Sequence, residues 1–348
     1  MMHKRKLNIC LIGFGNAGKE FCSLLINKRE HILELTGFDL EIRVIATKTK
    51  GSLINMQGID LQKALDEIDL LGRFDKKNLS FTQCSSLDLI QQSKADILIE
   101  LSTLSIADGQ PAIKHIETAF QNGSHVITAN KGPLAWAYSK LKDMSQNNNL
   151  QFLHETTVMD GAPVFNLVKE TLLGCTILSF KGILNSTTNF VLEQMEKGYS
   201  LDQSIKEAQS KGFAEADPSL DIDGWDAATK TAVLANVLMG ANLTPMDIDR
   251  TGISHITLDD VFSAKEKNKK IKLVCEGFMD GTTVIGKVHP VLIDGTDIFS
   301  NIDGTSSILT LRSDLMASIS MVEQNPKIQQ TAYGIYSDLL TLLKHLRT

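Results

Sequence analysis

Apolar positions in the first half of the chain follow two alternating rhythms. Short hydrophobic runs, LNICLI, EIRVIATK, LSFT, ADILIEL, SHVITA and LQFLHE, are bounded by turn residues. Between them, apolar residues return every three or four positions, as in KEFCSLLINK with Phe21, Leu24 and Leu25. The runs read as strands and the intervening segments as helices, one of them near residues 111–122 and ended by Gly123. Strands joined by helical crossovers, six in this reading, predict a doubly wound parallel sheet of α/β class. After Glu155 the rhythm changes. DGAPVFNLVKETLLG reads as a helix with Pro163 in its first turn, TILSFKGIL as a strand, and residues 201–208 and 225–239 as further helices. IKLVCEGF, TVIGKVHPVLI, SSILTLRS and ASISMV then read as strands of a second sheet. The last segment, IQQTAYGIYSDLLTLLKHL, sets Ala332, Ile335, Leu339, Leu342 and Leu346 near helical spacing. The expected domains are residues 1–155, a mixed α/β domain over 156–325, and a closing helix within 326–348 that returns to the first domain.

Composition narrows the class. The 348 residues, 43% hydrophobic and 22% charged, are ordinary for a globular protein of two domains. A net charge of −6 argues against a nucleic-acid partner, which would call for a basic surplus. No window approaches the roughly 18 to 20 apolar residues of a membrane helix, and the apolar run after MMHKRK is broken at once by Gly13 and Gly15. Cys10, Cys22, Cys84, Cys175 and Cys275 are far apart and mostly in apolar runs, and they read as reduced packing residues of a cytoplasmic protein.

The first candidate chemistry is GFGNAG, from Gly13 to Gly18, between the first strand and its helix. Gly13 permits a tight turn, Gly15 lets the backbone approach a pyrophosphate, and Gly18 allows helix to pack on strand, with Phe14, Asn16 and Ala17 between them. Alone, such a motif is structural more often than not. Here a strand precedes it and a helix follows, as a Rossmann-type nucleotide-binding domain requires. The second strand should end in an acid that holds the ribose hydroxyls of NAD. It ends instead in Thr47 and Lys48, with Lys50 beyond, while Asp39 and Glu41 lie at its wrong end. Those lysines suit the 2′-phosphate of NADP, and solvated loop lysines are the competing reading. Ligands of such sheets sit beyond the carboxyl ends of the strands, which marks Ser102, Thr103, Asn130, Lys131 and Glu155.

The second concentration of chemistry is GFAEADPSLDIDGWDAATK, where Glu215, Asp217, Asp221, Asp223 and Asp226 precede Lys230. Asp223 reads as the N-cap of the following alanine-rich helix. Asp226 and Lys230, four apart, share one face of it. An ordinary surface ion pair is the plain alternative. A lysine in an apolar helix is costly to bury unless paired, and burial favours its neutral form, the form able to accept a proton.

GFGNAG, ELST, ANKGPLA, HETTVMDGAPV, KGILNSTTNF, GFAEADPSLDIDGWDAATK and KVHPVLI, in that order, resemble homoserine dehydrogenase over nearly the whole chain. The resemblance implies a Rossmann domain joined to an α/β catalytic and dimerisation domain, a homodimer, and NAD(P)-dependent interconversion of L-homoserine and L-aspartate 4-semialdehyde in threonine and methionine biosynthesis. It further implies that Lys230 transfers the proton with Asp226 beside it, and that Lys131 lies near the reacting hydroxyl and the nicotinamide. Glu215 would take the substrate ammonium and Asp221 would order the pocket. HETTVMDGAP matches a sodium-binding loop of the family, which would put ligands at Glu155, Val158, Asp160 and Ala162. The chain resembles short members with neither a fused aspartokinase nor a C-terminal regulatory domain, so strong feedback by threonine is not expected. One departure is EQNPKIQQ, with Glu323, Asn325 and Lys327 where the family usually has a glycine-rich loop that closes on the cofactor. The residue types fit the reaction without the family: alcohol oxidation needs a base, a hydride acceptor and anchors for the amino-acid head. Two other functions compete. One is a related oxidoreductase acting on another hydroxy or oxo compound such as a sugar, which the acidic stretch suits less well. The other is a catalytically silent nucleotide-binding protein.

Overall fold

The structure is a computed structural model that describes residues 5–347. They form two compact units, one of residues 5–133, 137–163 and 327–347, the other of residues 134–136 and 164–326.

In the first unit β1 (Arg5–Ile12) leads through the glycine turn into α1 (Asn16–Thr36). Then come β2 (Phe38–Ala46), β3 (Ser52–Ile54), α2 (Leu61–Leu71), β4 (Phe81–Thr82), α3 (Ser86–Ser93) and β5 (Ile97–Glu100). The series ends with α4 (Ala112–Gln121), β6 (His125–Thr128), α5 (Lys131–Asn147) and β7 (Phe152–Leu153). Among the described residues the sheet has seven strands in the order β4-β3-β2-β1-β5-β6-β7. From β2 to β7 every pairing is parallel, as the alternating rhythm predicts. The other edge differs from the expectation of six strands joined by crossovers: β3 runs antiparallel to β2, and β4 antiparallel to β3. The chain doubles back after β2 because Thr47 closes a turn. Its Oγ1 donates to the Gly51 carbonyl at 2.6 Å and accepts the Lys50 N–H at 2.9 Å. The run LSFT supplies only Phe81 and Thr82, and LQFLHE shrinks to a two-residue strand.

Strands buried on both faces explain why the runs are continuous rather than alternating. Ile9, Leu11, Ile97 and Ile99 pack on one side with Phe21, Cys22 and Leu25 of α1, while Cys10, Leu98 and Val126 pack on the other with α3 and α4. The C-terminal helix (Ile328–Arg347) adds Ala332, Ile335, Leu339, Leu342 and Leu343 to the α1 side. Hydrogen bonds tie the loop after β7 to that helix. Glu155 N–H donates to Asp338 Oδ2 at 2.9 Å, Thr156 Oγ1 to the Thr331 carbonyl at 3.3 Å, and Thr331 Oγ1 to Asp160 Oδ1 at 2.7 Å. This approach needs Gly334, where a Cβ would lie 1.8 Å from Thr156 Oγ1 and 2.6 Å from the Asp160 carbonyl oxygen. Alanine ordinarily stabilises a helix relative to glycine. Gly334→Ala is expected to do the reverse, costing about 1 to 3 kcal/mol through overpacking. A variant that melts at or above the parent's temperature would show that the loop yields freely.

The second unit opens with a short helical piece, α6 (Val164–Asn166), continued as a π-helical turn over Leu167–Thr171, in place of the longer helix expected there. Next are β8 (Ile177–Ile183), α7 (Ser186–Glu196), α8 (Leu201–Ser210), α9 (Ser219–Ile222), α10 (Trp225–Met239) and β9 (Asp249–Arg250). It closes with α11 (Leu258–Glu266), β10 (Lys269–Asp280), β11 (Thr283–Asp294), β12 (Ser307–Ser313) and β13 (Ser318–Glu323). The sheet order is β13-β12-β8-β10-β11-β9, antiparallel except for β9 on β11. α10 lies against this sheet with Ala227, Ala228, Thr231, Ala232 and Ala235 buried, and Gly286 leaves room for Thr231. Lys272 is buried as well. Its Nζ donates to Asn189 Oδ1 at 2.9 Å and to the Ile302 carbonyl at 2.6 Å, so one cation joins α7 to the loop before β12. Burial pushes the Lys272 ammonium pKa down, and Asp303 opposes the shift.

Candidate active site

A cleft of about 960 Å³ opens at the carboxyl ends of β1, β2 and β5, lined among others by Gly13, Gly15, Lys48, Lys50, Ser102 and Thr103. The glycine turn is shaped as its motif requires. Gly13 has φ +101°, and a Cβ there would lie 2.3 Å from the Leu101 carbonyl oxygen. A Cβ on Gly18 would lie 2.6 Å from the Gly13 carbonyl oxygen, so helix and turn pack closely, whereas a Cβ on Gly15 would meet nothing within 4 Å. Phe14 belongs to the core and packs on Phe74 with ring centroids 5.6 Å apart, which leaves only its backbone for a ligand. Asn16 and Ala17 are the first residues of α1, and Asn16 lines a separate surface cavity.

At the end of β2 no acid faces the cleft. Thr47 lines it too, but its hydroxyl is engaged in the turn described above. Lys50 Nζ reaches the Phe14 carbonyl at 3.4 Å, and Phe74 N–H donates to the Lys50 carbonyl at 2.9 Å. That bond brings Arg73 and Lys76 to the same wall. Neither was foreseen, because their approach depends on the antiparallel edge; the signal available was the basic cluster in LGRFDKKN. On the far side Ser102 Oγ is buried without a partner among the described residues. Asn130 donates from Nδ2 to the Ser102 carbonyl at 3.0 Å and accepts the Gly132 N–H at 3.0 Å, capping α5. Lys131 is therefore the first residue of that helix. Open space at Gly15, an orphaned Ser102 hydroxyl and a basic wall fit a phosphorylated dinucleotide.

The acidic stretch of the second unit folds differently from the expectation at one point. The N-cap of α10 is Gly224 at φ +80°, not Asp223, which ends α9. Two helices separated by so short a link need a left-handed reversal, and glycine takes it at no steric cost. Arg250 fixes the link, donating to the Asp223 carbonyl while its guanidinium lies 3.7 Å above the Trp225 ring. Asp226 and Lys230 do share a face. Their charged atoms are 3.3 Å apart, and both side chains are about one-sixth exposed, at 16% and 17%. Lys230 Nζ also donates to the Leu184 carbonyl at 2.6 Å. Asn185 joins the carboxylates, donating from Nδ2 to Asp221 Oδ1 at 2.6 Å and to Asp226 Oδ2 at 3.0 Å, while its Oδ1 accepts the Thr188 N–H that caps α7. Asn185 was not singled out, although it stands in KGILNSTTNF. Glu215 is exposed and stands apart from this network; Gln209 donates to its carbonyl at 3.1 Å.

Burial raises the Asp221 pKa above the ordinary aspartate value of 3.8; nearby Asp226 adds to the shift, and Asn185 opposes it. A folded-state pKa above the unfolded one means that ionised Asp221 costs stability at neutral pH, and that the cost fades as pH falls through the raised value. Asp221→Asn keeps the size and the acceptor for Asn185. It is expected to melt above the parent at pH 7, with the difference narrowing as pH approaches 4. Thermal melts across that range check this, and a lower melting temperature at pH 7 would refute it.

In the loop matched to a sodium site, Glu155 and Val158 are buried, and Ala162 donates its N–H to the Met159 carbonyl at 2.8 Å. Asp160 Oδ1 accepts the Thr331 hydroxyl at 2.7 Å, and its carbonyl oxygen faces Gly334. No group of three His, Cys, Asp or Glu residues suited to a metal occurs among the described residues, and no step below uses one. The non-glycine loop still makes a tight turn: Asn325 adopts φ +44°, which asparagine tolerates, and its N–H donates to Ser306 Oγ at 3.2 Å.

A sequence model of homoserine dehydrogenase matches residues 163–340. The homoserine dehydrogenase of Methanocaldococcus jannaschii is 37% identical over 96% of this chain and 98% of its own length. The chain belongs to the homoserine dehydrogenase family. An NAD(+)-dependent homoserine dehydrogenase of Pseudomonas canavaninivorans is 31% identical over 95% of each chain. A solved structure from Archaeoglobus fulgidus, provisionally assigned as a homoserine dehydrogenase, superposes with a TM-score of 0.86 at 31% identity, covering 97% of this chain and 99% of that one. Membership makes the protein an oxidoreductase. No helix among the described residues is long and apolar enough to cross a membrane.

Proposed function

We propose that the enzyme interconverts L-homoserine and L-aspartate 4-semialdehyde in threonine and methionine biosynthesis, in the cytoplasm, with NADP preferred over NAD. The observation that carries this reading is the network of Asp221, Asn185, Asp226 and Lys230, which holds a partly buried lysine beside carboxylates. In this reading the neutral amine of Lys230, held in place by Asp226, accepts the hydroxyl proton and becomes the ammonium that Asp226 then faces. Lys131 offers a positive charge to the developing oxyanion, Glu215 attracts the substrate ammonium, and Asp221 orders the pocket. The nicotinamide supplies the hydride acceptor. The test is the appearance of reduced-nicotinamide absorbance with L-homoserine. Turnover of a neutral sugar alcohol in its place would move the substrate class, and no turnover of any alcohol would favour the silent reading.

The cofactor preference rests on Lys48, Lys50, Arg73 and Lys76 lining one cleft wall that bears no acid to hold ribose hydroxyls. A phosphate met by one or two such cations gains about ten- to a hundredfold in affinity. The kcat/KM ratio is expected to favour NADP by that factor and to fall toward unity in Lys48→Ala/Arg73→Ala. Equal use of both cofactors by the parent would mean that these cations are merely solvated.

The homodimer is proposed on the face of the second sheet turned away from α10. Ser179, Lys181, Phe278, Ile285, Lys287 and Thr310 lie there half-buried in register. Sedimentation giving a monomer at micromolar concentration would remove this part of the proposal.

A further inference from the structure

Three linked side chains at the carboxyl end of β5 have no role in the reaction described above. Glu100 is fully buried, a costly place for a carboxylate unless its oxygens are bonded. Its Oε1 accepts the Ser102 N–H at 3.2 Å and lies 3.2 Å from Nδ1 of His115 on α4, also buried. Thr128 Oγ1 stands 3.5 Å from Oε2. His115 Nε2 is in turn 2.7 Å from Ser86 Oγ at the start of α3. Only Ser86 is partly exposed, and it lines the nucleotide cleft together with its neighbours Gln83, Cys84 and Ser85.

The order of groups dictates a polarity. A carboxylate only accepts, so the proton facing it sits on Nδ1, and in that Nδ1–H tautomer Nε2 is the acceptor. Ser86 then donates its single proton inward to Nε2, which leaves its oxygen as a fixed acceptor toward the cleft. Position narrows what it meets. The turn from Gln83 to Ser86 follows β4, on the β2 side of the glycine turn, where the adenosine half of a dinucleotide lies in this topology. The donor that half presents at its base edge is the exocyclic amine of adenine.

We propose that Ser86 reads the adenine edge of the cofactor by accepting its exocyclic amine, and that Glu100, acting through His115, fixes Ser86 in the accepting orientation. Ser86 is then a specificity residue, and Glu100 and His115 are positioning residues. The proposal rests on the nucleotide-binding reading of the cleft and on no step of the chemistry.

The experiment measures dissociation constants by calorimetric titration, without turnover, for NADP and for its hypoxanthine analogue, in which the amine is replaced by a carbonyl oxygen. The parent is expected to bind NADP about tenfold more tightly than the analogue, the worth of one well-placed hydrogen bond exchanged for two facing acceptors. Ser86→Ala should bring the ratio to within about twofold, Ser86→Thr should keep it, and Glu100→Gln, verified as folded by its melt, should reduce it without abolishing binding. A parent that binds both nucleotides equally, or a Ser86→Ala variant that retains the parent's ratio, overturns the proposal. Failure of either nucleotide to bind would overturn the nucleotide reading as well. Normal discrimination without homoserine turnover would sink only the proposed reaction.

Discussion

Lys230→Ala is expected to lower kcat by about a hundred- to ten-thousandfold, the usual cost of losing a positioned base. The protein should stay folded. α10 is held by its apolar faces and by the Gly224 reversal, and neither involves this side chain. The alternative is that Lys230 is only the partner of Asp226. Two features weigh against it. The pair is about one-sixth exposed, more buried than a solvated surface pair, and its ammonium also bonds the Leu184 carbonyl at 2.6 Å, just before the Asn185 that joins both carboxylates. Such a constellation restrains the position of the nitrogen, which proton transfer needs and surface stability does not. A structural pair predicts a different outcome: kcat within a few fold of the parent, with the loss appearing in the melting temperature. Asp226→Asn separates the roles further, since the amide can still orient Lys230 but no longer favours its charged form.

What the sequence disclosed follows the range of its signals. The parallel strands were legible because burial on both faces writes an uninterrupted apolar run, and α10 because its flanks are small and apolar throughout. Asp226 and Lys230 were legible from helical spacing alone. β3 was not, since three residues carry no period, and with it went Arg73 and Lys76, which reach the cleft wall through the Lys50 turn. Asp223 reads as a cap by residue type, yet the chain reverses at Gly224; a side-chain cap requires an extended residue, and the short link from α9 demands a left-handed one. Asn185 and the Glu100–His115–Ser86 chain consist of contacts between residues 15 to 41 positions apart. No local pattern reports such contacts. The loop from Glu323 to Lys327 departs from the family's glycine-rich form, and Asn325 supplies a left-handed residue in it.

Lys131→Ala is expected to reduce kcat on the same scale, about a hundred- to ten-thousandfold, for a reason that its place in the fold makes testable. Lys131 is the first residue of α5, where the helix dipole presents its positive end and disfavours a cation. The cap that starts the helix belongs to Asn130, whose Oδ1 accepts the Gly132 N–H and whose Nδ2 holds the Ser102 carbonyl, and both bonds remain when residue 131 is alanine. By intrinsic preference alanine is the better helix former at this position. Loss of activity with an unchanged or higher melting temperature is the signature of a charge kept for chemistry. The NADP dissociation constant should move by no more than a few fold, because the proposed reading puts the phosphates at the glycine turn and the basic wall rather than at residue 131. Lys131→Arg tells charge from proton transfer: an arginine that restored most of kcat would mark Lys131 as the electrostatic partner, since guanidinium does not give up its proton near neutral pH. If Lys131→Ala instead kept kcat within a few fold while the melting temperature dropped, the residue would be a structural contact and Lys230 would carry the proton without it.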